Sequence, residues 1–244
     1  MNIISFENGN KLNIDKKETY RYLGYHFGGE VPVDDELEKM VNELTKKLQE
    51  VITPRCIYEI YRLNVEDNFC KLSILDLGNI SFSTDSENHV SEPINEPVLV
   101  IESKKLSAHI KECRYAILFA ATIGPGADMM IRRFSGRSTV KPAILQAAGA
   151  AAIEAFADEA TDMIKRELED YKYGKALQPR GENVTGADSV SFRMRFSPGY
   201  GDFNLEHQND FFRLLQLEKN LGMSLNSALL MSPSKSITAV IGVL

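Results

Sequence analysis

The stretch Arg195-Phe-Ser-Pro-Gly-Tyr-Gly-Asp-Phe-Asn-Leu-Glu-His-Gln208 joins two segments of different periodicity. Apolar residues alternate over residues 190–196, and helical spacing follows over residues 209–217. Proline fixes φ and lacks an N–H group, whereas the two glycines permit positive φ and leave main-chain N–H groups uncovered. We therefore predict a turn at which a flat or charged ligand can approach the main chain closely.

Arg195 is the cation of this turn. A guanidinium presents a rigid fork of donors that matches a carboxylate, so the residue is a candidate ligand contact. From spacing alone, the alternative is a glycine-rich turn whose arginine makes a structural salt bridge. The residues of the turn by themselves leave both interpretations open.

Composition limits the classes of partner. The 244 residues carry 28 Lys and Arg against 34 Asp and Glu, a net charge of −6, and 43% are hydrophobic, enough to form a core. No cluster of basic residues stands out, which argues against nucleic acid and anionic membranes. No apolar run approaches the roughly 20 residues that span a bilayer, and the N-terminus has no basic segment followed by an apolar one.

Cysteine and histidine usage points to a cytoplasmic protein without a metal of its own. Cys56, Cys70 and Cys113 are odd in number and widely spaced, which favours reduced thiols over a disulfide framework or a zinc site. The four histidines show no HxxxH or HExxH pairing.

Hydrophobic periodicity predicts an α+β fold in one domain. The predicted helices cover residues 33–51, 104–113, 127–134, 138–172 and 209–217. The fully apolar run 115–121 predicts a central strand, with two or three strands over 56–83, one over 98–101 and two closing strands over 224–231 and 236–244. Surface loops are predicted over 84–95 and 173–188.

The central strand ends at Thr122-Ile-Gly-Pro-Gly126 and leads into a helix. A strand, a glycine turn and a helix N-terminus together form a geometry that binds anions. The turn is neither a GxGxxG nor a Walker A sequence, so a structural role is the stronger prediction.

Three ordered blocks connect the chain to a known family. They are Arg195-x-x-Pro-Gly-Tyr, Gly222-Met-Ser-Leu-Asn-Ser and Met231-x-Pro-x-x-Ser-Ile-Thr-Ala, with a weaker block upstream at Ala151-Ala-Ile-Glu-Ala-Phe-Ala157. Together they resemble the C-terminal activation domain of cobalamin-dependent methionine synthase, and three ordered blocks are more specific than one glycine motif. The resemblance implies that family's fold, a mixed or antiparallel curved sheet flanked by helices. Residues 1–95 would be the more divergent part of the single domain and 96–244 the matching part.

The resemblance also implies a site for S-adenosylmethionine (AdoMet) that has no catalytic residue and no metal ligand. Arg195 would hold the methionine carboxylate, and Tyr200 would lie at the face presented to the corrin. Glu154 would supply a negative group for the amino or ribose end. The residues implied as cofactor contacts are Glu154, Arg195, Pro198, Gly199, Tyr200, Gly201 and Asp202.

In the resembled family, inactive cob(II)alamin receives one electron from flavodoxin or a similar reductant, and AdoMet then methylates the cobalt. The domain contributes orientation and a site tuned to a cation. No Asp-x-His-x-x-Gly cobalamin signature occurs in this chain, so a partner protein would supply cobalamin. The resemblance therefore implies an accessory subunit, not a complete enzyme. It would serve methionine biosynthesis with a flavodoxin-like donor and a corrinoid-binding methionine synthase that lacks its own activation domain.

Departures from the family pattern define an alternative. The family's Pro-Ala-Cys-Pro is Gly201-Asp-Phe-Asn204 here, from which we expect a more flexible loop with an added carboxylate. The family's N-terminal acidic contact has no convincing match, and its C-terminal tyrosine pair lies beyond Leu244. These differences favour a non-catalytic module that docks on a corrinoid protein without using AdoMet. An unrelated AdoMet-dependent methyltransferase is disfavoured because no glycine-rich loop follows an early strand.

Overall fold

The computed structural model describes residues 2–5, 12–25, 34–75, 96–170 and 190–244. The two predicted surface loops and the end of the predicted strand region, from residue 76, lie outside these residues. The chain separates into two compact units, which we describe one at a time. The first comprises Met1–Tyr58, Phe119–Thr161 and Phe211–Thr238, and the second comprises Glu59–Leu118, Asp162–Asp210 and Ala239–Leu244. That residues 1–244 form a single domain stays a prediction.

The described helices are α1 (Lys16–Tyr22), α2 (Asp35–Gln49), α3 (Lys104–Ile110), α4 (Gly126–Phe134), α5 (Val140–Asp170), α6 (Gln208–Leu214) and α7 (Leu217–Leu221), with a 3-10 turn over Leu205–His207. The described strands are β1 (Asn2–Ser5), β2 (Arg55–Glu66), β3 (Phe69–Ile74), β4 (Leu99–Glu102), β5 (Tyr115–Thr122), β6 (Ser224–Leu225), β7 (Met231–Ser232) and β8 (Ser236–Val243).

The main sheet has the strand order β4-β3-β2-β5-β8, and β1 pairs with β2. β3 is antiparallel to both β2 and β4, and β1 is antiparallel to β2. The N–H of Arg114 donates to the carbonyl of Val243, and that of Ile123 to the carbonyl of Lys235, at 3.0 and 3.1 Å. Because one strand's numbers rise as the other's fall, β5 and β8 are also antiparallel. The predicted α+β fold, with a central strand over the apolar run, is confirmed.

The long helices follow from apolar periodicity. α2 begins after Asp34, whose carboxylate accepts from the N–H of Glu36 at 3.1 Å, and acidic residues fill its first turn. α5 carries Pro142 in its first turn, where the missing N–H costs little. Both helices lie within the residues predicted for them.

The glycine turn before α4 is a packing element of the first unit. A Cβ on Gly124 would lie 2.2 Å from Oγ1 of Thr53, and one on Gly126 would lie 2.1 Å from the carbonyl oxygen of Val51. The N–H of Gly124 donates to Oγ1 of Thr122 at 3.1 Å, and Pro125 has no N–H. The turn therefore closes against residues 51–53, which supports the structural interpretation over the anion site.

Two predictions for the first unit were wrong. The closing strand predicted over 224–231 is a hairpin, β6–β7, because Oδ1 of Asn226 accepts from the N–H groups of Ala228 and Leu230 at 2.9 Å each and turns the chain back. The helix predicted over 209–217 is interrupted at Gln216, whose φ of 48° lies in the left-handed region. Strand β1 and helix α1 were not predicted.

The described part of the chain contains no helix that is both long and apolar enough to cross a membrane. In the same residues, no group of three or more His, Cys, Asp or Glu side chains could hold a metal ion. The three cysteines are free and buried.

Candidate functional site

The segment before the loop pairs with β8 in the second unit, but not as a continuous strand. Phe192 bridges Val243 and Phe196 bridges Val240, both antiparallel. The two phenylalanines are four positions apart but their partners are only three positions apart, so the segment carries one extra residue, as in a β-bulge. This extra residue explains why the alternating pattern forms isolated bridges and not the extended ladder that alternation indicates.

Helix α3 holds this segment next to Arg195. Nε2 of His109 lies 2.8 Å from the main-chain oxygen of Met194, and because a carbonyl only accepts, Nε2 is the donor. The His109 ring also packs against Phe196, with 5.6 Å between ring centroids. Arg193 forms an ion pair with Glu112, just after α3. Arg195 itself is half-buried and already interacts within the protein, so a ligand carboxylate would share or replace that interaction.

The turn at Pro198-Gly-Tyr-Gly201 is closed by its own main chain. The N–H of Gly199 donates to the carbonyl of Phe203 at 2.8 Å, and that of Tyr200 donates to Ser197 at 3.1 Å. The N–H of Phe203 donates back to the carbonyl of Tyr200 at 3.0 Å. The expectation that the glycines leave N–H groups uncovered is therefore wrong for Gly199, and the N–H of Tyr200 is also used to form the turn.

The carboxylate of Asp202 binds the beginning of α3. It accepts the hydroxyl of Ser103 at 2.6 Å and the N–H groups of Lys104 and Lys105 at 2.9 and 3.2 Å. The Ser103 hydroxyl in turn accepts the N–H of Leu106 at 3.0 Å, as an N-cap. These donors, the Ser103 hydroxyl first, hold the pKa of Asp202 below its ordinary value. The added carboxylate thus attaches the loop to α3, which opposes the flexibility expected from Gly201.

Gly201 lies against the same helix. Its φ of +62° is in the left-handed region, and a Cβ at this position would lie 2.5 Å from Cδ of Lys105. Glycine is therefore favoured here both by its backbone conformation and by the close approach of the lysine side chain.

Aromatic rings of the second unit pack around the end of the loop. Phe203 is 1% exposed and stacks on Phe196 at a centroid distance of 6.3 Å. The ring of His207 also lies 5.4 Å from that of Phe203, and Nδ1 of His207 is 2.8 Å from Oδ2 of Asp210. This packing buries the residue after Asp202 and so fixes where the exposed part of the loop begins.

Of the seven predicted site residues, six lie in the second unit and one lies in the first. Arg195, Pro198, Gly199, Tyr200, Gly201 and Asp202 lie together on one turn of the second unit. Pro198 is buried, whereas Tyr200 is 67% exposed. Glu154 is half-buried on α5 in the first unit and interacts within the protein.

Sequence reasoning missed Ser103 and His109 as supports of the loop. Ser103 lies 99 positions from Asp202 and His109 lies 85 positions from Met194. The signal available for Ser103 was its N-cap position before a predicted helix, but nothing in a single sequence indicates which distant carboxylate would join it.

A scan against protein-family models places residues 104–243 in the family described as "Vitamin B12 dependent methionine synthase, activation domain". The matched residues are more than half of the chain. The chain belongs to this family. The match begins at the first residue of α3 and ends at the last residue of β8, so it contains the whole candidate loop of this activation domain.

Solved structures agree on the fold. The structure described as "Crystal Structure of the MetH Reactivation Domain bound to AdoHcy" matches with a TM-score of 0.64 and 17% sequence identity, over 99% of this chain and 77% of that one. At this identity the likeness supports the fold alone, and together with the family match it confirms the resemblance predicted from the three sequence blocks. The curated proteins contain no match to the chain.

Proposed function

We propose that this activation domain binds AdoMet at the turn that follows Arg195 and presents its methyl group to the cobalt of a corrinoid-binding methionine synthase. The family match over residues 104–243 supports this function, and the related MetH domain is described as bound to S-adenosylhomocysteine (AdoHcy). The observation that carries the proposal is the exposure of Tyr200 on a turn whose neighbours on both sides are held by α3.

The residues of the turn fit a ligand that has a carboxylate and a cationic centre. Arg195 supplies a fork of donors for the carboxylate on a segment held by His109. The exposed ring of Tyr200 offers a flat surface and a π face to a sulfonium cation. That Glu154, in the first unit, supplies a negative group for the amino or ribose end of the ligand stays a prediction from its sequence block.

When bound, the sulfonium supplies the methyl group for reductive reactivation. The chain's own residues bind and orient it; none of them is assigned an acid, a base or a nucleophile. We assign cobalamin to a partner corrinoid protein and the electron to a flavodoxin-like donor, in a cytoplasmic pathway of methionine biosynthesis. That the protein acts as a free-standing subunit for a synthase without its own activation domain stays a prediction.

One observation favours the alternative, a corrinoid-docking module that no longer uses AdoMet. The N–H groups of Gly199 and Tyr200 donate inside the turn, so fewer main-chain donors remain for AdoMet than the sequence indicated. An exposed Tyr200 would serve protein docking equally well.

Calorimetric titration with AdoMet and with AdoHcy tests the proposal. The variants are Arg195→Ala and, as a control, Arg137→Ala, which removes an exposed cation of the first unit, outside the candidate loop. Because hydrogen bonds to charged groups are stronger than neutral ones, we expect Arg195→Ala to weaken binding roughly 10- to 100-fold and Arg137→Ala to leave it within a fewfold.

Equal binding by the wild type and Arg195→Ala would contradict the assignment of the carboxylate site. No binding by the wild type, combined with capture of a corrinoid protein, would select the docking alternative. Cobalt methylation that needs AdoMet, a reductant and the corrinoid protein would complete the support for reactivation.

A further inference from the structure

The segment that contains Tyr200 is hydrogen-bonded to α3 and its N-cap at two points. On one side of it, His109 donates to the carbonyl of Met194. On the other, Asp202 accepts three hydrogen bonds from the beginning of the helix. Arg195 and Tyr200 both lie between these two attachments, so the position of α3 sets the position of both.

The two attachments differ in kind. The His109 contact is a single hydrogen bond donated to a neutral carbonyl, supported by packing of the His109 ring on Phe196. The Asp202 contact joins one carboxylate to a hydroxyl and two N–H groups, and hydrogen bonds to an ionised acceptor are about twice as strong as neutral ones. Asp202 also follows Tyr200 by only two residues. Of these two attachments, Asp202 therefore has the closer control over Tyr200.

Within the loop itself, the described contacts on the Tyr200 side chain are few. The residue is 67% exposed, and its main chain bonds Ser197 and Phe203 inside the turn. Those bonds shape the turn but do not attach it to another element. The attachment of this end of the turn to α3 comes from Asp202 and from the contact between Gly201 and the Lys105 side chain.

We propose that Asp202 is a positioning residue that acts through the N-terminus of α3 to hold Tyr200 for the ligand. Its carboxylate oxygens already accept from Ser103, Lys104 and Lys105, so in this proposal it acts on the ligand through the position of Tyr200. The ligand part of this inference rests on the proposed function; the attachment of Tyr200 does not.

A fluorescent probe tests the attachment without any ligand. The chain has no tryptophan, so Tyr200→Trp places a single indole on the turn. The steady-state fluorescence anisotropy of that indole is measured in the Tyr200→Trp protein and in the same protein with a second substitution: Asp202→Asn, Asp202→Ala or, as the control, Glu206→Gln. Glu206 is an exposed carboxylate four residues further on, and its replacement changes net charge as Asp202→Asn does.

We expect the anisotropy to fall in the order wild-type Asp202, Asp202→Asn, Asp202→Ala, because asparagine keeps one acceptor oxygen and alanine keeps none. Glu206→Gln should leave it unchanged. Thermal unfolding of each variant, followed by circular dichroism, confirms that the comparison is made between folded proteins. Unchanged anisotropy in folded Asp202→Ala would overturn the proposal, whatever the chain binds.

The second arm uses the native Tyr200 and titrates AdoHcy. Asp202→Asn should weaken AdoHcy binding on the order of 3- to 10-fold, because the apparent affinity falls when the binding conformation is less populated. Glu206→Gln should leave AdoHcy binding unchanged. If the wild type binds and Asp202→Asn binds equally well, positioning for the ligand is refuted. If the wild type binds no AdoHcy, the proposed function fails for this ligand, and the anisotropy series alone decides whether Asp202 positions residue 200.

Discussion

Nε2 of His109 donates to the main-chain oxygen of Met194, 85 positions further along the chain and one residue before Arg195. A helix side chain thus fixes the backbone next to Arg195, the residue predicted to bind the carboxylate of the ligand. Since the bond is to a neutral carbonyl, His109→Ala should lower the free energy of unfolding by about 1 kcal/mol, measured by urea denaturation.

The same variant should weaken AdoHcy binding, because the backbone of Arg195 loses its attachment. Lys111→Ala, at the end of the same helix, is the control for surface changes and should alter neither quantity. Full affinity in His109→Ala would show that the bulged segment positions Arg195 without the helix.

Gly201 combines a left-handed φ with a close lysine neighbour. We expect Gly201→Ala to destabilise the fold by about 1 to 2 kcal/mol from the backbone term alone. The added methyl group would also clash with the flexible side chain of Lys105. In the Gly201→Ala background, Lys105→Ala should therefore remove the part of the destabilisation that comes from this clash and leave the backbone part. A double-mutant cycle in urea measures that part as the coupling between the two sites. A coupling near zero would mean that the lysine side chain moves aside without cost.

Gly126 faces a main-chain oxygen that cannot move aside as a side chain can. Gly126→Ala should therefore cost about 1 to 3 kcal/mol of stability, the range of overpacking in a close-packed region. Inorganic phosphate at millimolar concentration should not raise the melting temperature of the wild type. A phosphate-dependent rise that Gly126→Ala removes would restore the anion-site interpretation.

Burial raises the pKa of Cys56 to about 12 from its ordinary value of 9.0. Above pH 9 the unfolded chain ionises this thiol while the native state keeps it protonated, so the free energy of unfolding falls as pH rises toward 12. At pH 10 the loss attributable to this group is about 1 kcal/mol. Between pH 8 and pH 10, the free energy of unfolding should therefore fall less in Cys56→Ala than in the wild type, when each protein is compared with its own value at pH 8. Parallel curves for the two proteins would show that the thiol ionises equally in both states.

Long periodic segments were predictable from sequence, and short ones were not. α5 repeats one buried face over 31 residues, and β5 is buried along almost its whole length, so each pattern is self-consistent. β6 and β7 have two residues each and are formed by an Asn226 turn, which a short run of mixed residues does not distinguish from one strand. The break at Gln216 likewise depends on a left-handed residue that is not glycine.

For the site, sequence indicated the turn but not its supports. Arg195, Tyr200 and the two glycines follow one another in the chain, so their proximity needs no tertiary information. The hydrogen bonds of Asp202 and His109 join positions far apart, and their formation depends on where α3 packs. The internal use of the Gly199 and Tyr200 N–H groups depends on the conformation of the turn, which residue types alone do not determine.

The bond between Ser103 and Asp202 gives a rule for reading the sequences of relatives. The Ser103 hydroxyl donates to the Asp202 carboxylate. A relative with an acid at position 202 but no hydroxyl at position 103 would have a carboxylate with only the two main-chain donors. Homologues that keep this attachment should therefore change the two positions together. Those with the Pro-Ala-Cys-Pro pattern lose the carboxylate partner, and only the N-cap bond to the N–H of residue 106 then favours a hydroxyl before α3. An alignment of activation domains sorted by the residue after the second glycine position would show this covariation as a lineage-specific pair.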